Sequence, residues 1–235
     1  ATTIGGLGDT PGRFAFPRAI DVSADGKSLW VIDKTARVQR IDPATGKCLS
    51  LWRMPAMELG KPVGFSVAPG RDEAGLWCEE LVYVADTHYH RVMVYKPGAV
   101  PERSAAAANI GRMPLPQGGR GDGVLVGQFG EYGTGPGQFL LPTDVAVLLA
   151  PGGKSISRIY VSEYGGNDRI SVFDGEYRFQ FSFGAWGMGS ASEALDAKRV
   201  VFARPQSMSI EEIDGEKQLI VADSANHRIG RLTLD

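Results

Sequence analysis

The fold is decided by the stretch RIYVSEYGGNDRISVFD at residues 158–174, which has the pattern of a strand, a turn and a second strand. Apolar and polar side chains alternate over residues 159–162 and again over 169–173, with the period of two that a pleated strand requires. Between them, YGGND at 164–168 supplies residues that tolerate a positive φ. The stretch therefore predicts a β-hairpin.

The same pattern occurs three more times along the chain. The copies are SLWVIDKTARVQRID, LVYVADTHYHRVMVY and QLIVADSANHRIGRL, at residues 28–42, 81–95 and 218–232. In every copy an acidic residue ends the first strand and an arginine begins the second. The pairs are Asp33 and Arg37, Asp86 and Arg91, Glu163 and Arg169, and Asp223 and Arg228. Equivalent residues in all copies cannot each be catalytic, so we expect structural ion pairs that fix a turn or bridge neighbouring units.

Each copy is flanked by two further predicted strands. A proline opens the first, as in PRAIDV at residues 17–22, and a fourth strand follows the hairpin, as in RFQFSFGAWG at 178–187. Four antiparallel strands repeated in tandem are typical of β-propeller blades, which bury their faces by stacking on each other. The sequence thus predicts an all-β propeller of four-stranded antiparallel blades. The blades lie at about 9–52, 53–130, 131–184 and 185–235.

The chain resembles the NHL-repeat β-propeller family over nearly its whole length. The resemblance rests on GTGPGQFLLP at residues 133–142, on the Ala-Asp strand ends at 85–86 and 222–223, and on NHRI at 226–229. It implies a propeller whose members more often close with six blades than with the four repeats found here. The first two repeats match the family pattern least well.

The last repeat stops after its third strand. Residues 2–8, TTIGGLG, match the sequence that follows the third strand of the third repeat. We therefore expect residues 2–8 to form the missing outer strand, which closes the ring and makes residues 1–235 one domain. The alternatives are an open arc from a longer protein and a ring that a partner chain completes.

Three insertions interrupt the repeats. Proline, glycine and alanine dominate residues 97–123, which indicates a long irregular loop. Ser190 and Glu193 have the spacing of a capping box, so a short helix is predicted over residues 191–199. Residues 70–80 lengthen the turn between two strands of the second blade.

Composition sets limits on partners and location. A net charge of −2 and a pI of about 6.0 provide no overall attraction for nucleic acid or anionic lipid, and neither is an expected partner. The sequence has no apolar run of the roughly 20 residues that a membrane helix needs. An N-terminal Ala-Thr-Thr suits the mature side of a signal-peptide cleavage site and favours a periplasmic or secreted location. Cys48 and Cys78 are expected as free thiols, with a disulfide as the alternative.

The histidines are weak candidates for a metal site. His90 and His227 precede an arginine at the same repeat position, which indicates a structural role. His88 and His90 could share one side of an extended segment, but a zinc site needs at least one more ligand. Two kinds of propeller enzyme show what metal chemistry the resemblance could imply. The peptidylglycine amidating lyase is an NHL-type propeller with a histidine-bound zinc, and gluconolactonases are propellers with an axial metal. This sequence shows neither ligand set.

We expect a non-enzymatic binding or scaffold propeller that recognises a protein or a glycan through its loop face and needs no cofactor. Residues that differ between repeats are free to specify a partner. The candidate binding residues are Arg18, His88, Tyr89, Thr143, Tyr164 and Gln206. The alternative is a metal-dependent lyase or lactone-type hydrolase, with a divalent cation held by the repeated carboxylates at the mouth of the central channel.

Overall fold

A computed structural model of the chain describes residues 2–56, 58–59, 62–98, 123–189 and 200–234. The fold is all-β, with one antiparallel sheet for each of the four predicted propeller blades, which confirms the predicted fold class. Two further short strands, β13 (Ala185–Trp186) and β14 (Val201–Phe202), pair in parallel between the third and fourth blades.

The first three blades each have four strands in chain order from one edge of the sheet to the other. Blade 1 contains β1 (Pro17–Val22), β2 (Leu29–Asp33), β3 (Arg37–Ile41) and β4 (Cys48–Arg53). Blade 2 contains β5 (Phe65–Arg71), β6 (Trp77–Asp86), β7 (Arg91–Pro97) and β8 (Gly123–Phe129). Blade 3 contains β9 (Leu141–Leu149), β10 (Ile156–Tyr164), β11 (Arg169–Phe173) and β12 (Phe179–Phe183).

Blade 4 has three strands in the described part of the chain. They are β15 (Pro205–Ile213), β16 (Glu216–Asp223) and β17 (Arg228–Thr233), preceded by β13 (Ala185–Trp186) and β14 (Val201–Phe202). Single turns of 3-10 helix at Thr87–Tyr89 and Ser224–Asn226 join the second and third strands of blades 2 and 4.

By its internal contacts the chain divides into two compact units. The first unit comprises Ala1–Tyr83 and Val94–Gly127, and the second comprises Val84–Met93 and Gln128–Asp235. In the first unit, the core is aromatic: the ring centroids of Trp30 and Trp52 are 5.2 Å apart, and those of Trp52 and Tyr95 are 5.5 Å apart. Alternate residues of a strand point to the same face of its sheet. Trp30 and Trp52 point to the face of blade 1 that packs against Tyr95 of blade 2, and both indoles are fully buried there.

In the second unit, blades 3 and 4 share one apolar cluster. Ile170 and Val172 of β11 pack with Met208 of β15 and with Leu219 and Val221 of β16, and all five are buried. The third strand of blade 3 therefore faces the first two strands of blade 4. Such stacking buries sheet faces that a single four-stranded sheet would leave in water.

In blades 2 and 3 a glycine follows the fourth strand where the chain turns into the next blade. Gly130 follows β8 with a φ of +89°, and a Cβ at this position would overlap the ring of Phe139. Gly184, with a φ of +90°, has the same relation to Phe202. The backbone thus needs glycine both for its left-handed conformation and for the close approach of a buried aromatic ring.

The N-terminal segment of the structure differs from the sequence prediction. Residues 2–6 form no strand, and Leu7 makes one parallel bridge with Phe14, so the strand predicted over 2–8 is not present. Instead, residues 2–5 line a depression with residues 43–46, the turn between β3 and β4. The positive φ of Gly5, +84°, bends this segment away from an extended course.

The other insertions are partly outside the described residues. The helix predicted at 191–199 lies wholly outside them, as does most of the loop predicted at 97–123. The turn predicted over residues 70–80 is shorter than expected, because β5 runs to Arg71 and β6 begins at Trp77. Neither Cys48 nor Cys78 forms a disulfide, and both are half-buried.

The turn glycines give a test of the fold. Gly130→Ala adds both left-handed strain and a collision with Phe139, so we expect a loss of about 2–4 kcal/mol in the free energy of unfolding. Gly152→Ala is the matched control, since Gly152 has a φ of +90° but open space around it. That control adds strain alone and should cost about 1 kcal/mol. Urea unfolding of both variants measures the difference, and equal losses would contradict the packing role of Gly130.

Candidate functional site

The four acid–arginine pairs are formed inside the protein. All four carboxylates are fully buried, at 0% exposure. The distances from the arginine Nε to the carboxylate are 3.1 Å for Arg37–Asp33, 2.9 Å for Arg91–Asp86, 2.6 Å for Arg169–Glu163 and 2.9 Å for Arg228–Asp223. Buried charged pairs of this kind require further hydrogen bonds to offset their loss of water.

In blade 3 those further hydrogen bonds come from the loop that leads into the blade. Glu163 Oε2 accepts a hydrogen bond from the backbone N–H of Leu140 at 2.8 Å, while Arg169 donates to the carbonyl oxygens of Gly135 at 3.2 Å and Gln138 at 3.0 Å. The pair therefore ties the glycine-rich lead-in loop to the ends of β10 and β11.

Blades 1 and 4 repeat this arrangement. Asp33 accepts from the N–H of Ala15 at 3.1 Å, and Asp223 from the N–H of Ala203 at 2.7 Å. Arg37 also donates to the carbonyl oxygens of lead-in residues, among them Gly8 at 3.0 Å. In these blades the repeated carboxylates are committed to backbone and arginine partners, which is a scaffold role.

Asp33 and Asp86 differ in how well their partners offset burial. For Asp33, burial raises the pKa, but hydrogen bonds from Arg37, Thr35 and Ala15 outweigh it and hold the pKa below its ordinary value. For Asp86, burial is also the largest influence, and it raises the pKa in spite of Arg91. The Oδ1 atom of Asp86 has no hydrogen-bond partner among the described atoms.

The residue before each arginine has a left-handed backbone. The φ angles are 59° for Ala36, 56° for His90, 43° for Asp168 and 52° for His227. Asp and His tolerate this conformation better than most residues. His90 Nδ1 also bonds the carbonyl oxygen of Leu140, and Asp168 Oδ1 accepts from the N–H of Arg204 at 2.7 Å. Both side chains connect a turn to the lead-in of the next blade.

The predicted geometry for a histidine pair is wrong. His88 lies in the 3-10 turn Thr87–Tyr89 and His90 caps that turn, so the two do not share the side of an extended segment. His88 is exposed, whereas His90 is half-buried against the ring of Tyr132, with centroids 4.8 Å apart. Within the described residues, no group of three or more His, Cys, Asp or Glu side chains is placed to hold a metal ion.

Thr143 does not belong to an exposed surface. It is fully buried, and its hydroxyl lies 2.9 Å from Ser162 Oγ and donates to the carbonyl oxygen of Pro205 at 2.8 Å. The cause is a bulge: Ser162 pairs with Asp144 while Glu163 pairs with Pro142, which leaves Thr143 as an extra residue turned inward. The prediction that Thr143 contacts a partner is therefore wrong.

The other predicted binding residues lie at or near the surface. Arg18, in the first unit, is exposed. In the second unit, Tyr89 is half-buried with Arg91 5.3 Å from its ring centroid, and Tyr164 is half-buried with Arg204 at 5.0 Å.

Gln206 is half-buried as well, and its Oε1 accepts a hydrogen bond from the Ser224 hydroxyl at 3.2 Å. Each of the two tyrosines therefore packs against an arginine, and Gln206 forms a hydrogen bond within blade 4.

Sequence reasoning missed three exposed apolar residues at one repeat position. Leu7, Tyr132 and Trp186 are 84%, 70% and 65% exposed, and each lies two residues after the glycine that ends a fourth strand or its equivalent. Each pairs in parallel with a phenylalanine of the same lead-in: Phe14, Phe139 and Phe202. Alignment of the lead-in segments would have revealed the position, but exposure depends on the fold.

The fold defines the chain as a β-propeller protein. No protein-family model and no curated protein matches it. Solved structures that resemble it include the β-propeller domain of Cps50 (Swd1) from Myceliophteria thermophila, with 13% identity over 93% of this chain and 51% of that one and a TM-score of 0.46.

Two others are a protein from Lactobacillus plantarum (14% identity, 92% and 54% covered, TM-score 0.43) and the RRP9 WD40 repeats (10%, 99% and 53%, TM-score 0.40). The chain spans about half the length of these structures. In the described residues, no helix is long and apolar enough to cross a membrane.

The contrast between Asp33 and Asp86 can be tested by pH. The ordinary pKa of an aspartate is 3.8. The lowered pKa of Asp33 stabilises the folded state above that pH, and this stability is lost as the pH falls through the folded-state pKa. The raised pKa of Asp86 makes the folded state relatively more stable as the pH falls. At pH 7, Asp33→Asn should cost about 3–5 kcal/mol, because it removes one partner of a buried pair. That cost should shrink on acidification below pH 3.8.

For Asp86 the change should have the opposite sign. The free energy of unfolding of wild type, relative to Asp86→Asn, should rise as the pH falls from 7 through the folded-state pKa of Asp86 toward 3.8. Urea unfolding of the three proteins across this pH range measures both differences. Parallel pH profiles for the two variants would contradict the assignment.

Proposed function

We propose that this chain is a non-enzymatic binding propeller of the NHL-repeat type that recognises a protein partner. The observation that carries the proposal is the repeated exposure of a large apolar residue where the chain enters a blade, at Leu7, Tyr132 and Trp186. Exposed apolar side chains at equivalent positions have no role in the blade cores, so their function lies at the surface.

In the second unit these residues are accompanied by tyrosine–arginine pairs. Tyr89 lies in a turn between second and third strands, and Tyr164 ends the second strand before the equivalent turn. Tyr132 and Trp186 lie in links that join fourth to first strands. In antiparallel sheets of this strand order, both kinds of connection emerge at the same edge. We call these four aromatic residues the aromatic surface.

The chemistry of the aromatic surface favours a protein over other ligands. Tyrosine, tryptophan and arginine are the residues that most often anchor protein interfaces. Arg91 and Arg204 stack on Tyr89 and Tyr164, which presents planar cationic groups beside apolar rings. A partner with apolar side chains flanked by carboxylates fits this combination.

The NHL assignment is supported by the lead-in loop and the acid–arginine pair. The glycine-rich segment at 133–142 is held by the pair of Glu163 and Arg169, through the hydrogen bonds to Gly135 and Gln138. In blades 3 and 4 the residues that carry the resemblance to this family are thus the ones that join the lead-in to its hairpin.

A double variant tests the aromatic surface. Tyr132→Ala/Trp186→Ala should reduce capture of the cognate protein from native-source lysate at least 30-fold, since loss of an interface anchor costs about 2 kcal/mol or more. Quantitative mass spectrometry of captured proteins, followed by titration of the purified partner, gives the affinity. Leu76→Ala is the matched control, because Leu76 is 64% exposed but lies in the turn between β5 and β6.

The result that contradicts the proposal is a folded double variant that keeps every partner of wild type. A parallel glycan array separates the remaining class of ligand. Binding there that is lost in the double variant, with no protein captured, would assign the aromatic surface to a carbohydrate instead.

A further inference from the structure

The residue before the proline that opens the first strand has a left-handed backbone in two blades. The φ angles are +54° for Phe16 and +60° for Arg204, and neither residue is a glycine. In both blades the carbonyl oxygen of this residue accepts a backbone hydrogen bond, from Lys34 in blade 1 and from Ser224 in blade 4. Both side chains are exposed, so the bend directs a different kind of side chain into water in each blade.

A buried carboxylate holds the backbone of Arg204 in this conformation. The N–H of Arg204 donates to Asp168 Oδ1 at 2.7 Å, and Asp168 is only 4% exposed. The other oxygen of Asp168 accepts from the N–H of Gly166 at 3.2 Å, in the turn between β10 and β11. The strained residue is thus fixed by its surroundings, which is a common feature of ligand-binding positions.

The guanidinium of Arg204 is oriented but not neutralised. It lies 5.0 Å from the ring centroid of Tyr164, and within the described residues it forms no ion pair and no hydrogen bond. Arg91 also lies over a tyrosine, but its Nε donates to the buried Asp86 at 2.9 Å. The planar donors of a guanidinium match a carboxylate, which accepts two of them at once. Of these two arginines, Arg204 is therefore the one suited to an acid from outside the chain.

Arg204 lies close to Trp186, one member of the aromatic surface. Trp186 pairs in parallel with Phe202, and the N–H of Gly187 donates to the carbonyl oxygen of Phe202 at 3.0 Å. Paired strands are about 4.8 Å apart and two residues of chain span at most about 7 Å, so the Cα atoms of Trp186 and Arg204 lie within about 12 Å of each other. An extended peptide covers that distance in about four residues.

We propose that Arg204 binds an aspartate or glutamate of the protein partner, about four residues or fewer from the apolar side chain that packs on Trp186. The inference rests on the proposed function and adds the charge and the spacing of the group that is recognised. The two acids of the neighbouring turn, Glu163 and Asp168, are 0% and 4% exposed and bind other groups. Neither of them competes for the guanidinium, so its charge is available to a partner.

Selection from a random peptide library tests the assignment on the full chain. We expect wild type to enrich peptides that carry Asp or Glu within about four residues of an apolar residue. Arg204→Glu should enrich Lys or Arg at that position instead, because the charge it presents is reversed. Lys154→Glu is the matched control: Lys154 is exposed in the turn between β9 and β10, at the opposite edge of the sheet, and this variant should retain the acid preference.

Titration of one enriched peptide by fluorescence anisotropy measures the contact itself. Arg204→Gln should weaken binding about tenfold, and Arg204→Lys should also weaken it, because lysine keeps the charge but not the planar donors. When the acid of the peptide is replaced by its amide, wild type and both variants should bind with equal affinity. All these variants keep a side chain at the strained position, and circular dichroism checks that each is folded.

The outcomes separate this inference from the proposed function on which it rests. Enriched peptides that need Tyr132 and Trp186 but carry no acid would overturn the role of Arg204 alone, as would an acid preference that survives Arg204→Glu. Peptides that bind Tyr132→Ala/Trp186→Ala as tightly as wild type would overturn both, as would a library from which wild type enriches nothing.

Discussion

The structure depends on one buried interaction, the ion pair between the acid that ends each second strand and the arginine that begins the third. The carboxylate of Glu163 binds the backbone of the lead-in loop, and the guanidinium of Arg169 binds the same loop from its other side. A buried pair of charges is favourable only when its remaining hydrogen-bonding groups are satisfied. The lead-in loop of blade 3 satisfies the remaining hydrogen-bonding groups of this pair. The same hydrogen bonds therefore stabilise the buried charges and fix the position of the loop that leads into β9.

Comparison of the repeats distinguishes residues that stabilise the scaffold from candidate binding residues. The acid–arginine pair recurs in every blade with a buried carboxylate, and in blades 1, 3 and 4 both members of the pair are bound to backbone atoms. Side chains at Leu7, Tyr132 and Trp186 occupy a recurrent position but vary in kind, and they lie in water. The same backbone therefore presents different apolar groups at equivalent places, which is how a repeat protein acquires a specific surface without altering its core.

The sequence by itself determined the strands, the hairpins and the pairing of acids with arginines, because these follow from a period of two and from residues adjacent along the chain. It did not determine the burial of Thr143, since a bulge on β9 reverses the side to which that residue points. Nor did it place His88 and His90, because a 3-10 turn replaced the extended segment on which their predicted proximity rested. The exposure of Leu7, Tyr132 and Trp186 was decided only by the tertiary structure, because an apolar residue in a link between strands has no sequence period that predicts whether it is buried.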